Sequence, residues 1–322
     1  MITKDLPAQV PLPAENSGRR GCLICGYPRP DVWLTGPDRF NGRLKQYQLL
    51  RCADCSLVWL NNPPSPSEMG KHYGEHYDRE IAQAAKAPDH WLPRRDALLR
   101  LKTGGSILDL GCGTGGFLST LKGPSWKLYG IEMSEAAARV ARERCGAEVF
   151  VGDVPDAAFS SNSFDAITCF NVFEHMYDPR AVLTRVAKWL KPGGIFYTMM
   201  PNIDSAASRV FRSYWYALEL PRHLFHFSPA SLKKLAQSSG LKEVSVTTHH
   251  ETYFESSWHY VIDDVLRKVG HPRPPSSEPK VDTLPVKIAR KAFRITLLRL
   301  IDAAISLAGD GETITAVFTK QE

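Results

Sequence analysis

Three groups of residues in this 322-residue chain have the types and spacing to do chemistry. The first is Ile107-Leu108-Asp109-Leu110-Gly111-Cys112-Gly113-Thr114-Gly115-Gly116-Phe117, an apolar run ending in an acid and a glycine-rich turn. Glycines there permit tight backbone geometry and close approach of a ligand. Gly111, Gly113 and Gly116 satisfy the G-x-G-x-x-G spacing, which by itself leaves a nicotinamide or flavin dinucleotide open. Asp109 shifts the balance, because a carboxylate at a strand's end holds a ligand's ammonium group and repels a pyrophosphate. The second group is the pairs Cys22/Cys25 and Cys52/Cys55. Four thiolates in two knuckles suit a tetrahedral Zn²⁺ and leave no open coordination position, so the expected metal is structural; reduced thiols or a redox pair are the alternative. The third group is Glu174-His175, in Asn171-Val172-Phe173-Glu174-His175, together with Pro221-Arg222-His223-Leu224-Phe225-His226-Phe227. Glu174, His175 and His223 are candidates to remove or guide a proton from an acceptor hydroxyl. Against that stand two structural readings: His175 as a ring packed on a cofactor, and the later histidines as loop-fixing hydrogen-bond partners.

The elements that must position these residues are legible in outline. Short apolar strands alternate with helical patterns: strands at Ser106–Leu110, Lys127–Ile131, Glu148–Val151, Phe164–Phe170 and Ile195–Met200, helices at His90–Lys102, Gly116–Lys122, Glu135–Cys145 and Pro179–Leu190. Alternation of this kind predicts a doubly wound α/β fold with a mostly parallel seven-stranded sheet and helices on both faces. Lys191-Pro192-Gly193-Gly194 is expected to end the preceding helix, and Ser228-Pro229 to open another. Two strands, Glu243–Thr248 and Thr313–Thr319, complete the set. Before this domain, residues 21–66 form a zinc-ribbon module with β-like stretches at Gln46–Arg51 and Ser56–Leu60, closed by Asn61-Asn62-Pro63-Pro64-Ser65-Pro66. Residues 1–20 read as a flexible tail and 67–94 as a helical linking segment holding Tyr73, His76 and Tyr77. The remainder, 95–322, is the large domain, with an insertion over 249–311 that caps the acceptor site.

Composition bounds the rest. With 43% hydrophobic and 23% charged residues, the chain has material for one large core and a small satellite. No apolar run is long enough to cross a membrane and no secretory segment opens the sequence, so the expected location is the cytoplasm. Seven cysteines, two close pairs and the singles Cys112, Cys145 and Cys169, suit a reducing compartment. A net charge of +6 spread along the chain argues against dedicated nucleic-acid binding. Within the insertion, residues 286–307 mix Lys287, Arg290, Lys291, Arg294 and Arg299 with Phe293, Leu297, Leu298, Ile301 and Ile305. That stretch reads either as a helix packed on its own domain or as peripheral membrane contact.

Asp109-Leu110-Gly111-Cys112-Gly113-Thr114-Gly115, with Glu132 ending the second strand and Gly152-Asp153-Val154 after the third, resembles the class I S-adenosylmethionine-dependent methyltransferases over about residues 95–248 and the last strand. The resemblance implies that Asp109 and the backbone of Gly111, Cys112, Gly113 and Gly115 bind the methionine moiety. It implies that Glu132 takes the ribose hydroxyls, with Met133 and Asn171 beside the cofactor, and that Asp153 receives the adenine amine while Val154 lies on the ring. Some relatives carry Glu-x-x-Glu-His and hold a divalent cation there; Asn171 here replaces the first acid, and a neutral amide is a poorer ligand for a hard cation. The cysteine pattern resembles bacterial methyltransferases of sugar and polysaccharide biosynthesis, without their C-methylation chemistry carrying over. The expected reaction is O-methylation of a small hydroxylated metabolite, a saccharide or lipid-linked glycan. The competing expectations are an NAD-dependent oxidoreductase and an RNA-directed methyltransferase with the zinc module as adaptor.

Overall fold

In a computed structural model of the chain, residues 21–73, 89–268 and 310–321 are described. The N-terminal strands are β1 (Asp31–Asp38), β2 (Arg43–Arg51) and β3 (Val58–Leu60), followed by the short helix α1 (Pro66–Met69). Then come α2 (Leu92–Leu101), β4 (Gly105–Leu110), α3 (Gly116–Ser119), β5 (Trp126–Glu132), α4 (Glu135–Cys145), β6 (Glu148–Val151) and β7 (Phe164–Phe170). The chain continues through α5 (Pro179–Trp189), β8 (Leu190–Pro201), α6 (Ala206–Phe211), β9 (Phe225–His226) and α7 (Pro229–Ser238). It ends with β10 (Leu241–His249), α8 (Tyr253–Lys268) and β11 (Thr313–Lys320).

Seven strands form one sheet in the order β10-β11-β8-β7-β4-β5-β6, with β11 antiparallel to both its neighbours and the pairs β7–β8, β7–β4, β4–β5 and β5–β6 parallel. The expected mostly parallel seven-stranded architecture is therefore present. Its middle strands β4, β7 and β8 are covered on both faces, and Leu108, Ile167 and Phe196 are fully buried there. Successive strands run outward from β4 to one side through β5 and β6 and to the other through β7 and β8. The carboxyl end of β4 is thus the topological switch point, where open α/β sheets bind ligands.

Local chemistry explains the helix starts. Ser134 caps α4 by accepting from the Ala137 amide, Asp178 caps α5 ahead of Pro179, and Ser228 and Ser231 form a reciprocal capping box at α7. Helix α5 stops at Trp189, one residue before the expected end, but Lys191-Pro192-Gly193-Gly194 do not form a loop between elements. Strand β8 already begins at Leu190, opposite Phe164, and resumes pairing at Ile195 opposite Ala166, so the breakers are absorbed in a bulge.

A second, four-stranded antiparallel sheet has the order β1-β2-β3-β9. Strand β1 escapes the sequence reading because Gly36 and Pro37 punctuate it; Pro37 is tolerated because β1 is an edge. Of the linking segment, α1 and a 3₁₀ turn at Gly70–His72 are described, and 74–88, with His76 and Tyr77, lie outside the described residues. The tail 1–20 and the basic stretch 286–307 also lie outside them. Among the described residues no helix is long and apolar enough to cross a membrane.

Candidate functional site

At the carboxyl end of β4, Gly111 (φ +70°), Gly113 (φ +52°) and Gly115 (φ +73°) all adopt left-handed backbone. Gly111 and Cys112 both donate to the Ile131 carbonyl, at 2.8 and 3.0 Å, which folds the loop back over β5. A Cβ on Gly111 would stand 2.6 Å from the Val172 side chain, whereas one on Gly113 would meet nothing within 4 Å. The first glycine is required by packing, and the second borders open space.

Asp109 is 4% exposed and accepts a hydrogen bond from the Thr168 hydroxyl at 2.7 Å. Burial pushes its carboxyl up to about 7, opposed by that hydrogen bond and reinforced by the Glu132 charge. A cation arriving beside Asp109 would restore the ionised form. Glu132, at the end of β5, accepts from the Gly113 amide at 3.0 Å and the Ser134 amide at 2.8 Å, tying the glycine loop to the next helix. Asp153 follows β6 and accepts from the Val154 amide at 2.7 Å, and burial raises its pKa. Asn171 follows β7 with φ +55° and is exposed. Met133 is 73% exposed beside Glu132. The Val154 and Cys112 side chains point inward, 3% and 6% exposed, Val154 in the main core and Cys112 against β5.

Glu174, His175 and His223 converge from two loops at the same end of the sheet, each offering a ligand atom within 4.8 Å of the others. His175 Nδ1 lies 3.1 Å from the Arg222 carbonyl and 3.0 Å from the Tyr73 hydroxyl. A carbonyl only accepts, so Nδ1 carries the proton and Nε2 is left with its lone pair. His223 Nδ1–H likewise donates to the Ala217 carbonyl at 2.8 Å, while its Nε2 lies 3.5 Å from the Glu219 carboxylate. The two rings meet edge to face at 4.5 Å. Burial, then the neighbouring His223, holds the His175 imidazole down at about 3, and burial likewise pushes His223 well below its ordinary value. Beside them, both Glu174 carboxylate oxygens are buried without a hydrogen-bond partner, and burial pushes the acid up to about 8. Such an orphaned group needs an explanation.

Sequence reasoning missed Tyr73, Thr168 and Glu219 as neighbours of these groups. Glu219 pairs with Arg222, and Arg222 lies 3.7 Å over the Phe40 ring. Nothing local marks any of them; they are brought in by the second sheet and by the neighbouring strand.

The four cysteines also converge, with all four sulfurs within 4.8 Å of one another. Cys22–Cys55 and Cys25–Cys52 Sγ separations are both 3.4 Å, far beyond a disulfide bond and close to the roughly 3.8 Å that tetrahedral thiolates about 2.3 Å from zinc require. The two knuckles repeat one design. Gly26 and Ser56, both in left-handed backbone, donate to Cys22 O and Cys52 O, while the Cys22 and Cys52 amides donate to Tyr27 O and Leu57 O.

The methyltransferase-domain family matches residues 73–246, more than half the chain. A ubiquinone biosynthesis O-methyltransferase from Thiobacillus denitrificans is 31% identical over 169 residues, covering 49% of this chain and 71% of that protein. One of the same description from Xanthomonas axonopodis pv. citri is 32% identical over 151 residues, covering 43% and 63%. Among solved structures, a SAM-dependent methyltransferase from Thermotoga maritima superposes with a TM-score of 0.50 at 19% identity, covering 79% of this chain and 99% of that one. A chain from the complex of the Haloferax volcanii Trm112 methyltransferase activator with a methyltransferase also gives a TM-score of 0.50, at 21% identity, covering 77% and 97%. At these identities the structural likeness speaks for the fold. Together with the glycine loop at the switch point, these matches place the chain in the class I S-adenosylmethionine-dependent methyltransferases, and it is an enzyme of that family.

Proposed function

We propose that the chain transfers the methyl group of S-adenosylmethionine to a hydroxyl of a small acceptor held against Glu174, His175 and His223. The observation that carries this reading is the buried Glu174 carboxylate, without a hydrogen-bond partner, beside two imidazoles whose Nδ1 atoms are tied to backbone carbonyls. In the cofactor half, Asp109 and the backbone of Gly111, Cys112, Gly113 and Gly115 take the methionine moiety. Glu132 takes the ribose hydroxyls, Asp153 receives the adenine amine beside Val154, and Met133 and Asn171 lie beside the cofactor. The relatives named above carry O-methyltransferase in their description, which favours transfer to oxygen. The saccharide or lipid-linked glycan drawn from the cysteine pattern finds no support among them, so the acceptor is proposed only as a hydroxylated small molecule. The readings as an NAD-dependent oxidoreductase and as an RNA-directed enzyme are not favoured; a carboxylate at Asp109 repels a pyrophosphate.

The chemistry is an in-line displacement. The acceptor oxygen bonds to the methyl carbon as the carbon–sulfur bond breaks, its electron pair stays on sulfur, and S-adenosylhomocysteine leaves. Most of the rate comes from alignment and exclusion of water. The acceptor proton passes to His175 Nε2, and because that imidazole is a weak base in the closed site, transfer accompanies bond formation, when the oxygen is most acidic. The Nδ1–H bond to the Arg222 carbonyl fixes the tautomer this requires. Glu174, His175 and His223 also fit a divalent cation, since both imidazoles are neutral with Nδ1–H tied to carbonyls, the usual support for metal-bound histidine. Such a cation, when bound, would ionise Glu174 and acidify an acceptor hydroxyl.

We further propose Cys22, Cys25, Cys52 and Cys55 as a structural Zn²⁺ site within a 21–66 module, joined through 67–94 to a catalytic domain over 95–322. The test is transfer of labelled methyl from S-adenosylmethionine to panels of hydroxylated aromatics and saccharides, by the native enzyme and His175→Gln. Labelled product lost in the variant, with S-adenosylhomocysteine affinity kept, is the expected result. Equal product from both would overturn the role given to His175.

A further inference from the structure

We propose that the metal held by the four cysteines is a positioning element for the acceptor half of the active site and leaves the cofactor half self-supporting. This rests on the reading of Glu174, His175 and His223 given above. The second knuckle, Cys52–Cys55, is the turn between β2 and β3, and β3 does not end its pairing within its own module. It pairs with β9, Val58 against His226 and Trp59 against Phe225, and the Leu60 amide donates to the Leu224 carbonyl at 2.9 Å. Strand β9 begins two residues after His223. Leu224 in turn donates from its amide to the Glu174 carbonyl at 2.8 Å, so the 222–226 segment is held between the cysteine sheet and the Glu174-His175 turn.

The tip of the β1–β2 hairpin adds a second grip. The Phe40 ring lies 3.7 Å beneath the Arg222 guanidinium, and Arg39 donates from Nε to the Ser213 carbonyl at 2.9 Å. Tyr73, which follows the module, meets His175 Nδ1. Behind the first knuckle, Arg180 of α5 donates to the Leu23 and Ile24 carbonyls at 2.7 and 2.8 Å. The two groups that orient His175, Tyr73 and the Arg222 carbonyl, thus rest on residues 23–73 or on the loop that β3 pairs with, while His223 is also held by the Ala217 carbonyl of the preceding turn. The cofactor residues are held differently: Asp109 by Thr168, and Glu132 by Gly113 and Ser134, all inside the seven-stranded sheet and its loops.

A three-residue β3 and a two-residue β9 cannot order themselves. A module of this size has little core of its own and shares the one under the large sheet, and binding free energy at a four-thiolate site becomes folding free energy for the strands beside it. Removing the metal releases the β2–β3 turn, and with it β9 and the His223 loop.

The experiment uses the full chain, loaded with zinc and then stripped with a chelator, with metal content measured by plasma emission. Amide hydrogen exchange is followed by mass spectrometry, and S-adenosylhomocysteine affinity by calorimetry. The proposal expects exchange over 56–62 and 219–228 to speed up by at least about tenfold in the stripped protein, with 105–115 unchanged and affinity kept within about threefold. Unchanged exchange over 219–228 overturns it. So does loss of affinity accompanied by faster exchange in every segment, 105–115 included, since the metal would then hold the whole fold. As a second measurement in zinc-loaded protein, Phe40→Ala is expected to keep its zinc and its affinity yet speed exchange over 219–228; protection equal to the native protein there would overturn the grip through Arg222. Neither readout depends on which residue acts on the acceptor, so failure here and failure of the His175 assignment are separable.

Discussion

At the scale of single residues, burial does most of the electrostatic work. Asp109 is raised to about 7, and under the proposed contact with the cofactor's ammonium its removal is felt mainly in binding. A charge-assisted contact of this kind contributes about 1.5–3 kcal/mol, and Asp109→Ala is expected to weaken S-adenosylhomocysteine binding roughly 10- to 100-fold by calorimetry. His175→Gln removes the proposed proton acceptor and is expected to lower kcat about 10²- to 10⁴-fold with little change in cofactor affinity, read from steady-state kinetics. His226 offers a test of stability, because it is 3% exposed and burial lowers its pKa from 6.5 to about 3. A lowered imidazole contributes stability that is fully present above 6.5 and lost as pH falls toward the folded value, since only the unfolded chain takes up the proton in that window. Between pH 7 and pH 5, the native protein should therefore lose about 2 kcal/mol more than His226→Gln does, measured by urea denaturation. Equal losses would contradict the burial.

At the scale of elements, the glycine loop is where geometry is least forgiving. Gly111 combines φ +70° with Val172 packed where a side chain would begin, so Gly111→Ala is expected to cost roughly 1–3 kcal/mol, seen as a lowered Tm. A Tm equal to that of the native protein would show that the loop can move aside. The loop, the parallel strands leading to it and the cap at Ser228 were legible because each is set by neighbours in sequence: apolar runs, a hydroxyl before a helix, Pro at its first turn. Strand β9 was not legible, because two residues carry no period and become a strand only through β3. Strand β8 was legible in its second half alone, since Pro192, Gly193 and Gly194 read as a loop until β7 supplies partners on both sides of the bulge. The acid–imidazole group was visible as residue types, but its closeness to Tyr73 and Arg222 depends on the second sheet. The Asp109–Thr168 bond joins adjacent strands 59 positions apart and left no local trace.

At the scale of the whole molecule, two sheets divide the labour. The seven-stranded sheet presents Asp109, Glu132 and Asp153 along the carboxyl ends of consecutive strands β4, β5 and β6, while β7 and its following turn carry Glu174 and His175 to the other side of the switch point. The cysteine sheet closes over that second side through β9. The proposed assignments thus divide the molecule into a cofactor half defined by one sheet and an acceptor half completed by the other. The most direct measurement of the central claim is calorimetric titration of the zinc-loaded protein with S-adenosylmethionine, S-adenosylhomocysteine and NADH, beside Asp109→Ala. The account expects saturable binding of the first two, lost or weakened at least tenfold in the variant, and none of NADH. Binding of S-adenosylhomocysteine that survives Asp109→Ala undiminished, or tight binding of NADH, would contradict it.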